Sequence, residues 1–307
     1  MERPVPSQQA AKTLAGSPAG RPSSTRIGLV LAIGVISTSF GAILVRMAAC
    51  PPVAKAAWRC TLAAAIIGLS GGMKRSKEEA EFPGAVRLAF LAGAFLAFHF
   101  GTWIASLDNT SVALSSLLVA TTPVWVALAS PFITGDRATW RALAGVGLSL
   151  GGSAWIALAG EGGEGELYGA VLAVAGAIGA AGYVLIGRRV GERLPIQRYL
   201  FLCYGSAALF LIATALISGD ALFGFDGRTY AALVGLALVP QLLGHSACNW
   251  ALRWLPALLV SVVFLSEPIV ASTLAWAFLK EAPERVVLLA APLVLLGIVL
   301  AADTRQG

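Results

Sequence analysis

Charged residues are scarce in this sequence. Asp, Glu, Lys and Arg make up 12% of the 307 residues, whereas 57% are hydrophobic, and the mean hydropathy is +0.79. So few charges cannot cover the surface of a water-soluble protein of this length. The apolar runs are also too long for the strands of a membrane β-barrel. We therefore predict an all-α integral membrane protein that crosses the bilayer several times.

Motifs for catalysis, metal binding and nucleotide binding are missing as well. The four cysteines lie in or beside apolar segments without CxxC or Cys/His spacing, so they imply neither a metal site nor a disulfide. No GxxxxGK[ST] motif is present, and the acidic and histidine side chains are dispersed rather than clustered at one membrane face. We expect a protein that is not an enzyme and has no catalytic residues, no metal and no cofactor. The basic residues form short clusters between apolar runs, so the net charge of +6 does not indicate a nucleic-acid partner.

Apolar runs separated by charged or Pro/Gly-rich breaks predict ten membrane spans. Residues 1–26 are rich in Pro, Ser, Ala and Gly and predict a disordered N-terminal tail. The connections between the spans are short, which leaves no room for a soluble domain. The predicted spans are 27–49, 53–71, 85–105, 111–132, 142–159, 167–187, 199–217, 229–252, 256–279 and 286–302.

The distribution of Lys and Arg predicts the orientation of these spans. Sixteen basic residues fall on the side of the N-terminal tail and five on the other side, while Arg59 lies inside a span. Basic residues concentrate on the cytoplasmic side of membrane proteins. Both termini are therefore predicted to be cytoplasmic.

An internal repeat relates the two halves of the chain. An offset of 145 residues aligns Pro123 with Pro268 and Gly152 with Gly297, and it preserves the order of spans and the length of loops. Each half then contains five spans. Because five is odd, the second half must be inverted relative to the first, which is an architecture that many secondary transporters use.

Several stretches resemble the EamA family of the drug/metabolite transporter superfamily. They are AAWRCTLAAAIIGL after Pro52, SLDNTSVALSSLLVATTPVWVAL, GDRATWRALAGVGLSLGG, ALRWLPALLVSVVFLSEPIVASTLAWAFLKE and LLAAPLVLLGIVL. The resemblance implies ten helices in two EamA repeats, at 27–160 and 161–303, followed by a cytoplasmic tail at 304–307. It also implies transport of a small metabolite. Because the family includes an exporter of aromatic amino acids, an amino acid is the leading substrate.

The resulting hypothesis is a multi-pass secondary transporter of the inner (cytoplasmic) membrane that exports an amino acid or related metabolite by alternating access. Multidrug or cationic-compound efflux is the alternative, followed by a non-transporting membrane sensor. The expected partners are the lipid bilayer, a small-molecule substrate and protons as a candidate coupling ion. The expected assembly is a monomer or a homodimer.

Two charged residues inside the spans are the first candidates for a substrate site. Glu267 lies near the middle of the ninth span, where a carboxylate is costly and is treated as functional by default. It could bind an ammonium group, carry a proton or pair with Arg59. Arg59 in turn could bind a substrate carboxylate, pair with Glu267, or extend to the outer lipid headgroups. Together the two residues would complement a zwitterion.

Other candidates are polar or aromatic residues near the middle of the spans. The offset of 145 places His99 beside His245 by repeat symmetry, so the two imidazoles could couple a proton or close a gate, although packing roles are an alternative. Trp125 could stack on a substrate or fill space between helices.

Pro123 and Pro268 are predicted to break their helices and open a gap at mid-membrane. Thr122, the repeat counterpart of Glu267, could line that gap or hydrogen-bond a freed backbone carbonyl.

Overall fold

In the computed structural model, the described residues are 22–75, 77, 82–110, 115, 118–158, 166–267, 269–270 and 285–302. They form helices connected by turns. The α-helices are α1 (Ser24–Ser39), α2 (Gly41–Met47), α3 (Pro52–Ile67), α4 (Pro83–Leu107), α5 (Thr122–Ile133), α6 (Trp140–Leu158), α7 (Glu166–Val190), α8 (Ile196–Ser218), α9 (Gly227–Leu236), α10 (Ser246–Ala251), α11 (Ala257–Val263) and α12 (Arg285–Ala302).

Six stretches of helix are long and apolar enough to cross a membrane, which confirms the prediction of a multi-pass helical membrane protein. Two shorter apolar helices cover Thr122–Ile133 and Ala257–Ser266, and the number of ten spans stays a prediction. The six stretches lie within about three residues of the spans predicted from sequence. They are Ser24–Met47, Pro52–Gly72, Gly84–Leu107, Leu167–Val190, Ile196–Ser218 and Gly227–Ala251.

Proline and aspartate define where several helices begin. Pro52 and Pro83 occupy the first turns of α3 and α4, where a missing N–H removes no helical hydrogen bond. Asp226 caps α9, because its carboxylate accepts a hydrogen bond from the backbone N–H of Thr229 at 2.8 Å. At the other end of α8, Gly219 takes a left-handed conformation with φ of 75°, which ends that helix.

Small residues let the helices approach closely. A Cβ placed on Gly93 of α4 would lie 1.9 Å from Ser206 Oγ of α8, so no larger residue fits there. α6 packs on α12 in the same manner. A Cβ on Gly297 would lie 2.1 Å from Ser149 Oγ, and one on Gly152 would lie 2.7 Å from a methyl of Val294. Gly152 and Gly297 are the positions that the 145-residue offset relates.

Two helices change geometry near the centre of the molecule. The chain turns at Phe40 between α1 and α2, and α9 continues into a π-helical segment, Ala237–His245, that contains Pro240. Proline removes one backbone donor, and π-helical turns widen a helix. α1 packs against this segment so closely that a Cβ on Gly244 would lie 2.6 Å from the methyl of Thr38. The altered helices border the central cavity.

Candidate functional site

A cavity of about 210 Å³ lies between the helices of both halves of the chain. Its lining comes from the first half (α1 to α5) and from the second half (α7, the π-helical segment, α10 and α11). Among the residues that line it are Thr38, Ser39, Arg59, His99, Trp103, Thr122, Pro123, Tyr183, Pro240, His245, Ser261 and Glu267.

Arg59 is buried at the wall of this cavity, with 1% of its surface exposed. Its Nε donates a hydrogen bond to Gln241 Oε1 at 2.9 Å, and its guanidinium carbon lies 3.8 Å from the centre of the Phe100 ring. Within the part of the chain that the structure describes, its Nη1 is buried without a hydrogen-bond partner. The side chain therefore does not extend to the lipid headgroups, and the cavity wall carries a cation with an unused donor.

Glu267 lines the same cavity and follows a short 3₁₀ turn, Phe264–Ser266, at the end of α11. Its backbone carbonyl accepts a hydrogen bond from Ser39 Oγ at 3.4 Å. Both Glu267 and Arg59 are described residues, and no nitrogen of one lies within 4.0 Å of a carboxylate oxygen of the other. The direct ion pair considered from the sequence is therefore not formed in this conformation.

The two histidines predicted to be related by the repeat are close in space. The ring centres of His99 and His245 are 6.5 Å apart, and both side chains line the cavity. His99 Nδ1 forms a hydrogen bond of 2.9 Å with the carbonyl of Gly176, and its ring is stacked parallel to Trp103 with centres 6.0 Å apart. The ring of His245 meets Phe100 edge-on at 5.1 Å. The ring of Phe100 thus contacts both histidines as well as the guanidinium of Arg59.

In the described part of the fourth predicted span, Leu118 and Val119 are helical, a turn follows at Ala120 and Thr121, and α5 begins at Thr122. Pro123 therefore lies in the first turn of α5, directly after an interruption of the helix. The hydroxyl of Thr122 donates to the carbonyl of Val119 at 2.7 Å. Trp125 is not among the residues that line the cavity, because it lies about one turn further along α5 and its indole N–H points to Thr121 Oγ1 at 3.2 Å. The predicted helix break at Pro268 lies outside the described residues.

Some lining residues were not singled out from the sequence. Trp103 lies near the end of its span, a position that is typical of tryptophans at the membrane interface, but the structure places it on the cavity wall. Pro240 lines the cavity, and its neighbour Gln241, which is not a lining residue, holds Arg59. A proline beside an amide in an apolar run is a sequence signal of a broken helix with a polar contact. Tyr183 carries no such signal, because one tyrosine in an apolar span is compatible with packing alone.

The helices define a multi-pass membrane protein, and the cavity between them is a candidate binding site for a small molecule. The profile of the EamA-like transporter family matches residues 26–158 and again residues 167–302. The chain belongs to this family, and it is therefore a transporter of the drug/metabolite type that acts on a small molecule in a lipid membrane.

The fold of this chain also occurs in a solved structure. A solved structure described only as the crystal structure of a protein superposes with a TM-score of 0.75 at 20% sequence identity. The alignment covers 91% of this chain and 97% of the other. A search of curated proteins finds no match.

Proposed function

We propose that this protein is a secondary transporter that exports a small zwitterionic metabolite across the cytoplasmic membrane by alternating access. Neutral amino acids are the leading substrate class. The proposal includes the architecture of two inverted five-helix repeats, both termini in the cytoplasm, and no catalytic activity. In such an architecture the substrate site lies near mid-membrane between the repeats, and the two ends of the site open in turn.

The observation that carries the proposal is one cavity lined by two ionisable side chains of opposite sign that are not in direct contact with each other. Arg59 supplies a buried guanidinium with an unused donor, and Glu267 supplies a carboxylate with no salt bridge to it. An amino acid brings one carboxylate and one ammonium group, so it complements both charges at once. A ligand with a single charge would leave the other charge buried and unpaired, at a free-energy cost of roughly several kcal/mol.

Efflux of organic cations is the second candidate function. It is favoured by Glu267 together with the aromatic side chains of Trp103 and Tyr183 that line the cavity, because cations bind well over aromatic faces and beside carboxylates. It assigns no role to the unused donor of Arg59, and for that reason it ranks below zwitterion transport.

Transport by the purified full-length protein in proteoliposomes separates these candidates. The substrate panel contains neutral amino acids and lipophilic cationic drugs, each measured with and without a pH gradient. We expect at least one neutral amino acid to move, and a dependence on the pH gradient would identify protons as the coupling ion. Transport of the cations alone would overturn the amino-acid proposal, and no transport of either class would favour a sensor.

A further inference from the structure

A second, polar recess of about 510 Å³ lies at the arginine-rich end of the molecule, away from the central cavity. Its walls come from the end of α5, the turn that follows it, the end of α7 and the short 3₁₀ turn Gly191–Arg193. α5 belongs to the first family match and α7 to the second. The recess therefore lies between the two halves of the chain, on the membrane face that the distribution of Lys and Arg predicts to be cytoplasmic.

The charges in this recess are unequal. Three arginines line it, Arg188, Arg189 and Arg193, against one carboxylate, Asp136. Asp136 lies 3.8 Å from Arg188 Nε, and Arg188 also donates to the carbonyl of Leu252 at 3.1 Å. The aspartate and this first arginine thus balance each other, which leaves two positive charges in excess.

The two remaining arginines are exposed and only partly engaged. Arg189 donates one hydrogen bond through Nη1, to the carbonyl of Ile133 at 2.9 Å, whereas a guanidinium carries five N–H donors. The guanidinium of Arg193 lies over the ring of Phe82 with a separation of 6.0 Å. Two guanidinium groups with unused donors on one recess are suited to the oxygens of a phosphate.

The apolar surface beside the recess indicates the rest of the ligand. Phe132 lines the recess and is 86% exposed, and Leu128, four residues earlier on α5, is 62% exposed. Residues four apart share one face of a helix, so these side chains form an apolar strip that begins at the arginines. Trp140, a few residues further along the chain, is also exposed, and the guanidinium of Arg141 lies 5.6 Å from the centre of its ring. Exposed tryptophans are typical of the headgroup region of a bilayer.

We propose that this recess binds an anionic phospholipid, with its phosphate at Arg189 and Arg193 and an acyl chain along Phe132 and Leu128. Basic recesses between membrane helices on the cytoplasmic side are suited to anionic headgroups. A soluble phosphate would use the arginines but not the apolar strip. Because the recess joins both halves of the chain, the bound lipid also links the halves at this membrane face.

Native mass spectrometry of the full-length protein, titrated with phosphatidylglycerol or phosphatidylcholine, tests the proposal. We expect phosphatidylglycerol to bind more tightly. The variant Arg189→Gln/Arg193→Gln should lose about thirtyfold in affinity for phosphatidylglycerol, the factor that corresponds to about 2 kcal/mol for two basic side chains. The control Arg75→Gln/Arg87→Gln removes the same charge from exposed arginines on the same predicted face, and should stay within a few-fold of wild type.

Each other result contradicts the lipid site. Equal binding of the two lipids, or an equal loss in the control variant, would show only a diffuse attraction to positive charge. Displacement of phosphatidylglycerol by millimolar inorganic phosphate would assign the recess to a soluble phosphate. If the double variant does not fold, the single variants Arg189→Gln and Arg193→Gln replace it. Each should lose about fivefold in affinity for phosphatidylglycerol, and no loss in either would contradict the lipid site.

Discussion

Replacing Arg59 with methionine separates a functional arginine from a structural one. Methionine keeps much of the length of the side chain and removes its charge. The substitution removes the hydrogen bond from Arg59 Nε to Gln241, which leaves Gln241 buried without that partner at a cost of about 1–3 kcal/mol. It also removes the contact between the guanidinium and the ring of Phe100, which contributes about 0.5–2 kcal/mol.

An opposing contribution of similar size favours the variant. A buried cation without a direct counter-ion carries a desolvation penalty of roughly several kcal/mol. Replacing the arginine with methionine removes this penalty. Because Arg59 is 1% exposed and forms no salt bridge with Glu267, this relief should offset most of the two losses. We therefore expect thermal unfolding of Arg59→Met to stay close to that of wild type.

Substrate affinity should change far more than stability. Hydrogen bonds to a charged group contribute about 1.5–3 kcal/mol each, which corresponds to a loss of about tenfold to more than a hundredfold in apparent affinity for an amino acid. Arg59→Lys retains the charge but not the planar guanidinium, so it should lose less. The assay is counterflow in proteoliposomes beside a thermal unfolding measurement of the same preparations. A strongly destabilised Arg59→Met whose remaining folded fraction binds substrate normally would refute this reasoning.

Five further substitutions, in three experiments, test the site and the helix packing. Glu267→Gln should insert and fold like wild type but lose transport in proteoliposomes, and unchanged transport would remove Glu267 from the site. Trp103→Ala should weaken transport more than Trp125→Ala, because only Trp103 lines the cavity, and the reverse order would contradict the geometry. Gly93→Ala should lower the thermal stability markedly, since its Cβ would meet Ser206 Oγ at 1.9 Å, whereas Gly101→Ala on the same helix should be tolerated because its nearest contact is 3.8 Å. Equal effects at the two glycines would contradict the packing of α4 on α8.

The sequence predicts the helical membrane fold because the length of an apolar run reports directly on its ability to span a bilayer. The family assignment also followed from the sequence, since the quoted stretches occur in the right order along both halves. Gly152 and Gly297 were paired by the repeat, and the structure places both at the contact of α6 with α12.

The side-chain geometry of the site was less accessible. Depth along a span can be estimated by counting residues, but the direction in which a side chain points cannot, because a helix that is apolar on all sides gives no amphipathic signal. Trp103 and Trp125 illustrate this limit: the one closer to a span end lines the cavity, and the one closer to the centre does not. The partner of Arg59 illustrates it again, since Gln241 comes from a π-helical segment that no sequence period predicts.

The central claim is that one cavity binds both ends of a zwitterion, and competition in counterflow tests it most directly. The competitors are the transported amino acid itself, its methyl ester without the free carboxylate, and its deaminated acid without the ammonium group. The account predicts that only the intact zwitterion competes well, because each analogue leaves Arg59 or Glu267 without its partner. Competition by either analogue at the concentration at which the amino acid competes would contradict it.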